Sequence, residues 1–458
     1  MKLGLLVVFL TIVTCAASLQ NTNETRSGSF DTSPWLEDFH QILSEMSAHY
    51  ANLEWAVEDR RMDLPRLRMD TDVRLRETTS EQDARRILDK FLASFGDGHL
   101  QIAWPKSGTQ VKPAAGASQS LCDRLGYDMR PHAGLDFSAL PEFSAQNTPE
   151  AKLFAGGLLR LRNHTVLGII RIALFSEHAY PEICELAVRD LHLAENAACD
   201  EECGDQLELT TANLLTAALV RRAEALRAAG ATSFLIDITH NGGGSDWAEV
   251  PPRVLSSVPL HDSKVAFIRH EHWTKQLQDR LQDVQTNIKN QSGSKTLLEA
   301  EARALDKAID ESRQPCNRTA LWDTGKLSCS MLAAAPPRTA HPSRYTYPES
   351  PKTLPLYVVV NRDTWSAAEY FAAVLQDNHA ATIVGEVTGG AGCGYTNGGI
   401  PAKLKNSGAL LKMPDCVRFR ADGSNEVNGI TPDLLLPWSG HDSDFQHVKK
   451  LLVALESR

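Results

Sequence analysis

Short aliphatic runs alternate with long helical stretches through most of the chain, and this alternation restricts the fold more than any other feature. The runs TVLGIIRIALF (165–175), SFLIDI (233–238), KVAFI (264–268), LYVVV (356–360) and ATIVGE (381–386) are rich in β-branched residues, as buried strands are. ELTTANLLTAALVRRAEALRAA (208–229) and the stretch after Ser366 carry apolar residues at helical spacing. Strands alternating with helices imply a layered α/β core.

Around that core the pattern changes. WLEDFHQILSEMSAHYANLEWA (35–56) and SEQDARRILDKFLASF (80–95) are helical in spacing, and Ser80 with Glu81 marks a capped start for the second. This predicts an N-terminal helical unit over 33–100, an irregular linker or small subdomain over 101–160, and an α/β core over 161–440. A charged, Gln-rich helical stretch followed by AAAPPRTAHPSR reads as an insertion at about 271–350. The first 18 residues have a single Lys2, an apolar run from Leu3 to Val13 and small residues at Ala16, Ala17 and Ser18. They read as a signal peptide, the run being short for a bilayer span; the expected location is secreted or periplasmic. With 47 Lys and Arg against 57 Asp and Glu, the net charge is −10, which argues against a nucleic-acid partner.

Outside that leader and its Cys15, eight cysteines remain, an even number suited to disulfides in an oxidising compartment. Local spacing pairs Cys199 with Cys203, Cys316 with Cys329 and Cys393 with Cys416, leaving Cys122 for Cys184. None has the CxxC-like clustering of a metal site, and His270 and His272 lack the spacing of HExxH; no metal or cofactor is expected. Asn23, Asn163, Asn290 and Asn317 stand in Asn-x-Ser/Thr tripeptides, potential glycosylation sites in a eukaryotic host.

Three segments bear on chemistry. IDITHNGGG (236–244) ends a strand with three glycines, which allow close backbone approach and can aim N–H groups at an anion; the plain reading is a tight turn. In TWSAAE (364–369), Ser366 and Glu369 match a capping box, yet the same position places Ser366 at the positive end of a helix, where negative charge is stabilised. GDGH (96–99) presents His99 after a turn, as an ordinary surface histidine or a general base.

Taken in order, GDGH, IDITHNGGG, VVVNRDTWSAAE, VGEVTGG and NGITPD resemble the tail-specific, or C-terminal-processing, serine peptidases and their tricorn-core relatives. The resemblance runs from about 33 to 437. It implies a crotonase- or ClpP-like ββα core and maps the nucleophile onto Ser366. The lysine used by one branch falls on Ala391, so the histidine-dependent branch is the match: His99 as base, Glu426 orienting it, with backbone N–H groups of Gly243, Gly244 and Ala367 as the oxyanion hole. Gly98 precedes His99 where tricorn-type sites often carry a serine, and 101–155 is too short and irregular for a PDZ domain, so carboxyl-terminal specificity is not implied. The expected function is an exported serine endopeptidase acting on polypeptides. The alternatives are a noncatalytic ligand- or peptide-binding protein on the same fold, and an enzyme whose base is Lys403, Lys405 or Lys412.

Overall fold

The computed structural model describes residues 30–105, 119–291, 294–314, 316–336, 345 and 354–457; the expected leader, Cys15 and Asn23 lie outside these. A seven-stranded sheet forms the centre, in the order Leu434–Leu435, Thr382–Gly385, Leu356–Val360, Ser233–Asp237, Val166–Arg171, Gly157–Arg160, Phe143–Ala145. The first five run parallel, and Gly157–Arg160 is antiparallel to both of its neighbours.

Side chains alternate between the sheet's two faces, as a period of two requires. Phe234, Ile236, Val358 and Val360 pack with Leu215, Leu219, Phe371 and Leu375 of helices Glu201–Ala228 and Ala367–Asp377. Leu235, Val359 and Val384 face the other way, onto Val448, Leu451 and Leu455 of helix Asp444–Glu456. Both faces are covered, which is why the strand sequences are nearly continuous hydrocarbon. The run 264–268 differs. Its strand Lys264–Ile268 lies outside the main sheet, between Cys416–Phe419 and Leu332–Ala334 in a three-stranded sheet, and Lys264 at its start is exposed.

Helices Ser33–His49, Leu53–Glu58, Leu64–Glu77 and Glu81–Ala93 build the N-terminal unit. Ser80 caps the last of them through the Asp83 N–H. Its core of Phe39, Ile42, Phe91 and Phe95 also takes in Trp322, Leu404 and Leu411 from later in the chain. Helices Glu271–Lys289 and Lys295–Ser312 form a pair that packs on the three-stranded sheet through Trp273, Leu277, Leu298 and Leu305. The cysteines pair as the spacing predicts: Cys122–Cys184, Cys199–Cys203, Cys316–Cys329 and Cys393–Cys416. Among the described residues, no helix is long and apolar enough to cross a membrane.

Two polar contacts bind this middle region to the rest. The buried Arg318 donates to the Ser47 and Tyr50 carbonyls at 2.9 and 3.0 Å, at the end of the first helix, and faces Glu54 at 3.4 Å. Burial pulls its pKa down to about 10, against the opposing pull of Glu54. His272 Nε2 lies 2.8 Å from the Thr396 carbonyl and 3.3 Å from Asp415 Oδ2. Its hydrogen bond to Asp415 raises the imidazole pKa above the usual value.

Arg318→Met should lower unfolding free energy by about 3–5 kcal/mol, the usual cost of removing one partner of a buried pair; urea unfolding of the oxidised chain measures it. For His272 the folded pKa exceeds the unfolded one. Its stabilisation is therefore complete below the unfolded value of 6.5 and disappears as pH rises through the folded value. The stability gap between wild type and His272→Gln should be widest near pH 5.5 and close at alkaline pH.

Candidate active site

Ser366 stands between strand Leu356–Val360 and helix Ala367–Asp377, with φ 56° and ψ −119°. A non-glycine residue at positive φ is strained by roughly 1–3 kcal/mol and is held there only by its surroundings. The strained strand-to-helix turn is the geometry that lifts a serine hydroxyl clear of its own backbone in nucleophile elbows. Ser366 and Glu369 have capping-box geometry, but its firm contacts are made by the backbone. The Ser366 N–H donates to Glu369 Oε2 and the Glu369 N–H to the Ser366 carbonyl, both at 2.9 Å. The hydroxyl is left without a capping bond of its own.

The Glu369 carboxylate does more than cap. It also accepts from Thr388 Oγ1 at 2.6 Å and from the N–H groups of Gly390 and Ala391 at 2.8 Å. Burial pushes its pKa up, while these donors pull in the opposite direction. One carboxylate therefore fixes both the Ser366 backbone and the loop that begins at Thr388.

That loop meets His99. A carbonyl can only accept, so the 2.6 Å contact between His99 Nδ1 and the Ala391 carbonyl puts the proton on Nδ1 and leaves Nε2 with its lone pair. Gly394 lies against the ring: a Cβ there would be 2.9 Å from Nε2. Tyr395 adds an edge-on ring contact at 5.1 Å and donates its hydroxyl to the His99 carbonyl. Behind the ring, buried Asp97 accepts the His99 N–H at 2.9 Å. The residues that precede Ser366 and His99 are in contact. The Trp365 indole lies between Gly98 and Gly389, where added Cβ atoms would fall 2.0 and 2.4 Å from ring carbons. Gly98 therefore stands where a side chain would displace Trp365, the neighbour of Ser366. Among the described residues no hydrogen bond joins the Ser366 hydroxyl to the imidazole.

Glu426 lies on the other side of the same loop. It is buried, and its carboxylate is held by Arg418, Nε to Oε2 at 2.6 Å and Nη2 to Oε1. Arg418 also donates to the Gly392 carbonyl at 3.1 Å. Burial works against the guanidinium charge, and Glu426 more than restores it. The orienting contact expected from Glu426 to the imidazole is thus occupied by the Ala391 carbonyl, because a buried carboxylate is claimed by the adjacent full positive charge.

The glycine loop abuts Ser366. A Cβ on Gly243, at φ 93°, would be 2.8 Å from Ser366 Cβ and from the Ala367 nitrogen. The Gly243 N–H is directed to Asn241 Oδ1 at 2.9 Å. No hydrogen bond among the described residues engages the N–H groups of Gly244 or Ala367. Of the lysines, Lys403 and Lys405 are exposed beside Gln41 of the first helix, and Lys412 pairs with Gln101, two residues after His99.

Sequence reading passed over Arg418, Asp97 and Trp365 and saw Glu369 only as a cap. Asp97 lies inside GDGH and Glu369 inside TWSAAE, so both had a signal; Arg418, in a short edge strand, had none. Glu369→Gln offers a single carbonyl oxygen and an amide donor to four donors. It should cost about 2–3 kcal/mol through unsatisfied N–H groups, read as a drop in thermal midpoint.

Residues 205–436, just over half of the chain, match peptidase family S41. A Chlamydia pneumoniae protein is 27% identical over 221 residues, 46% of this chain and 34% of that protein. One from Chlamydia trachomatis is 25% identical over 236 residues, 49% of this chain and 38% of its own length. These matches span little more than a third of the relatives' lengths. Mature CPAF superposes with a TM-score of 0.57 at 14% identity, covering 93% of this chain and 96% of CPAF. CPAF complexed with lactacystin gives 0.55, also at 14% identity, covering 93% of this chain and 98% of CPAF. By its sequence the chain belongs to peptidase family S41.

Proposed function

We propose that the chain is an exported serine endopeptidase that cleaves polypeptides through an acyl-enzyme on Ser366. The observation that supports this reading is the contact of Trp365 with Gly98, which joins the segment of the strained Ser366 to the segment of His99, whose Nδ1 proton is already committed. His99 Nε2 takes the proton as Ser366 Oγ adds to the scissile carbonyl, then delivers it to the leaving amine; water attacks the ester by the same route. The oxyanion is received by the Gly244 N–H of the glycine loop and by the Ala367 N–H at the head of an 11-residue helix. Gly243 joins them only if Asn241 releases its amide. Glu426 serves as a positioning residue: with Arg418 it backs the loop whose Ala391 carbonyl orients His99. Four disulfides suit the expected oxidising compartment.

A fluorophosphonate probe and a fluorogenic peptide test the reading. Ser366→Ala should abolish labelling, and Ser366→Ala and His99→Ala should each lower turnover roughly ten-thousand-fold with the fold intact. Glu426→Gln should lose less, about a hundredfold, as expected of displaced machinery. Turnover retained in Ser366→Ala would overturn the assignment, and a wild-type chain that neither labels nor hydrolyses would favour the noncatalytic binder.

A further inference from the structure

Four buried polar side chains run between the segments that carry His99 and Glu426. Asp97 Oδ1 accepts the His99 N–H, and Asp97 Oδ2 accepts from Asn52 Nδ2 at 2.8 Å and from the Tyr50 hydroxyl at 3.0 Å. Asn52 Oδ1 in turn accepts from Asn425 Nδ2 at 2.8 Å. Asn425 immediately precedes Glu426, and its own Oδ1 caps the turn Glu426–Asn428 by accepting the Val427 N–H at 3.0 Å. Tyr50, Asn52, Asp97 and Asn425 are all buried.

Such an arrangement is costly to bury unless each donor and acceptor is matched. Here the matching is directional. Asn52 donates to a carboxylate with one end of its amide and accepts from Asn425 with the other, so a carboxylate, which cannot donate, cannot replace it. Burial pushes the Asp97 carboxyl up, while Asn52, the His99 N–H and Tyr50 draw it back. Asn52 belongs to the N-terminal helical unit, immediately before helix Leu53–Glu58, and no hydrogen bond among the described residues joins it to Ser366 or the His99 ring.

We propose that Asn52 is a positioning residue that locks the His99 turn to the Glu426 turn, so that the N-terminal helical unit sets the placement of base and carboxylate. The inference rests on the peptidase reading above for its kinetic consequence. Its structural consequence is independent of that reading. Removing the link frees both turns at once, and small displacements of a base cost large factors in rate.

The test compares the full chain with Asn52→Ala, Asn425→Asp and the double variant. Asn425→Asp keeps the oxygen that caps the Glu426 turn and replaces the donor to Asn52 with a carboxylate oxygen, which cannot donate. Each single variant should lower kcat by about tenfold or more with KM within about threefold, and the double should lose no more than the worse single, since both break one linkage. Hydrogen exchange should quicken together in residues 97–100 and 425–428, whether or not turnover is measurable. Unchanged kcat in folded single variants, losses that multiply, or faster exchange in only one turn would overturn the proposal. A wild-type chain without Ser366-dependent turnover would sink the peptidase reading, and the exchange result would then decide the linkage on its own.

Discussion

The buried carboxylate of Glu369 is the constraint on which the site depends. It gathers donors from Ser366, Thr388, Gly390 and Ala391 within 2.6–2.9 Å. In a low-dielectric interior a carboxylate is tolerable only with its lone pairs filled. The requirement is reciprocal: the donors must come to the acid, and in doing so they bring the strained serine and the loop after strand Thr382–Gly385 into a fixed relation. The residue that reads locally as a helix cap is globally the pin between Ser366 and the loop that holds His99.

The loop from Thr388 to Thr396 is then held on every side. Arg418 takes the Gly392 carbonyl, the Cys393–Cys416 disulfide ties it to the neighbouring strand, and Thr396 bonds Asp415. Its glycines admit this crowding: side chains at 390 or 394 would strike the Val427 carbonyl or the His99 ring. A backbone carbonyl so restrained can do for an imidazole what an orienting carboxylate does elsewhere, namely select the tautomer and hold the ring plane. What it does not supply is a full negative charge beside the imidazolium, and here that charge, on Glu426, is balanced by Arg418.

The parts of the site come from three regions of the chain. The sheet supplies Ser366 and the glycine loop, the N-terminal helices lead into His99, and the last strands bring Glu426. Trp365 between Gly98 and Gly389 joins the first to the second, and the Asp97–Asn52–Asn425 chain joins the second to the third. These joints are contacts between residues far apart in sequence, so the N-terminal unit is as much a part of the site as the sheet.

Much of this was legible before any coordinates. Continuous β-branched runs specified buried strands because both sheet faces are covered, and helical spacing located the helices around them. The cysteine pairs followed from separation along the chain, and the ordered motifs marked Ser366, His99 and the glycine loop. The carboxylate's partner was not legible. Arg418 stands only eight residues before Glu426, yet no pattern along the chain pairs the two, and the acceptor that holds His99 Nδ1 is the carbonyl of Ala391, 292 residues away. Pattern along a chain reports which face a residue buries; only the packed structure decides which buried charges and donors find one another.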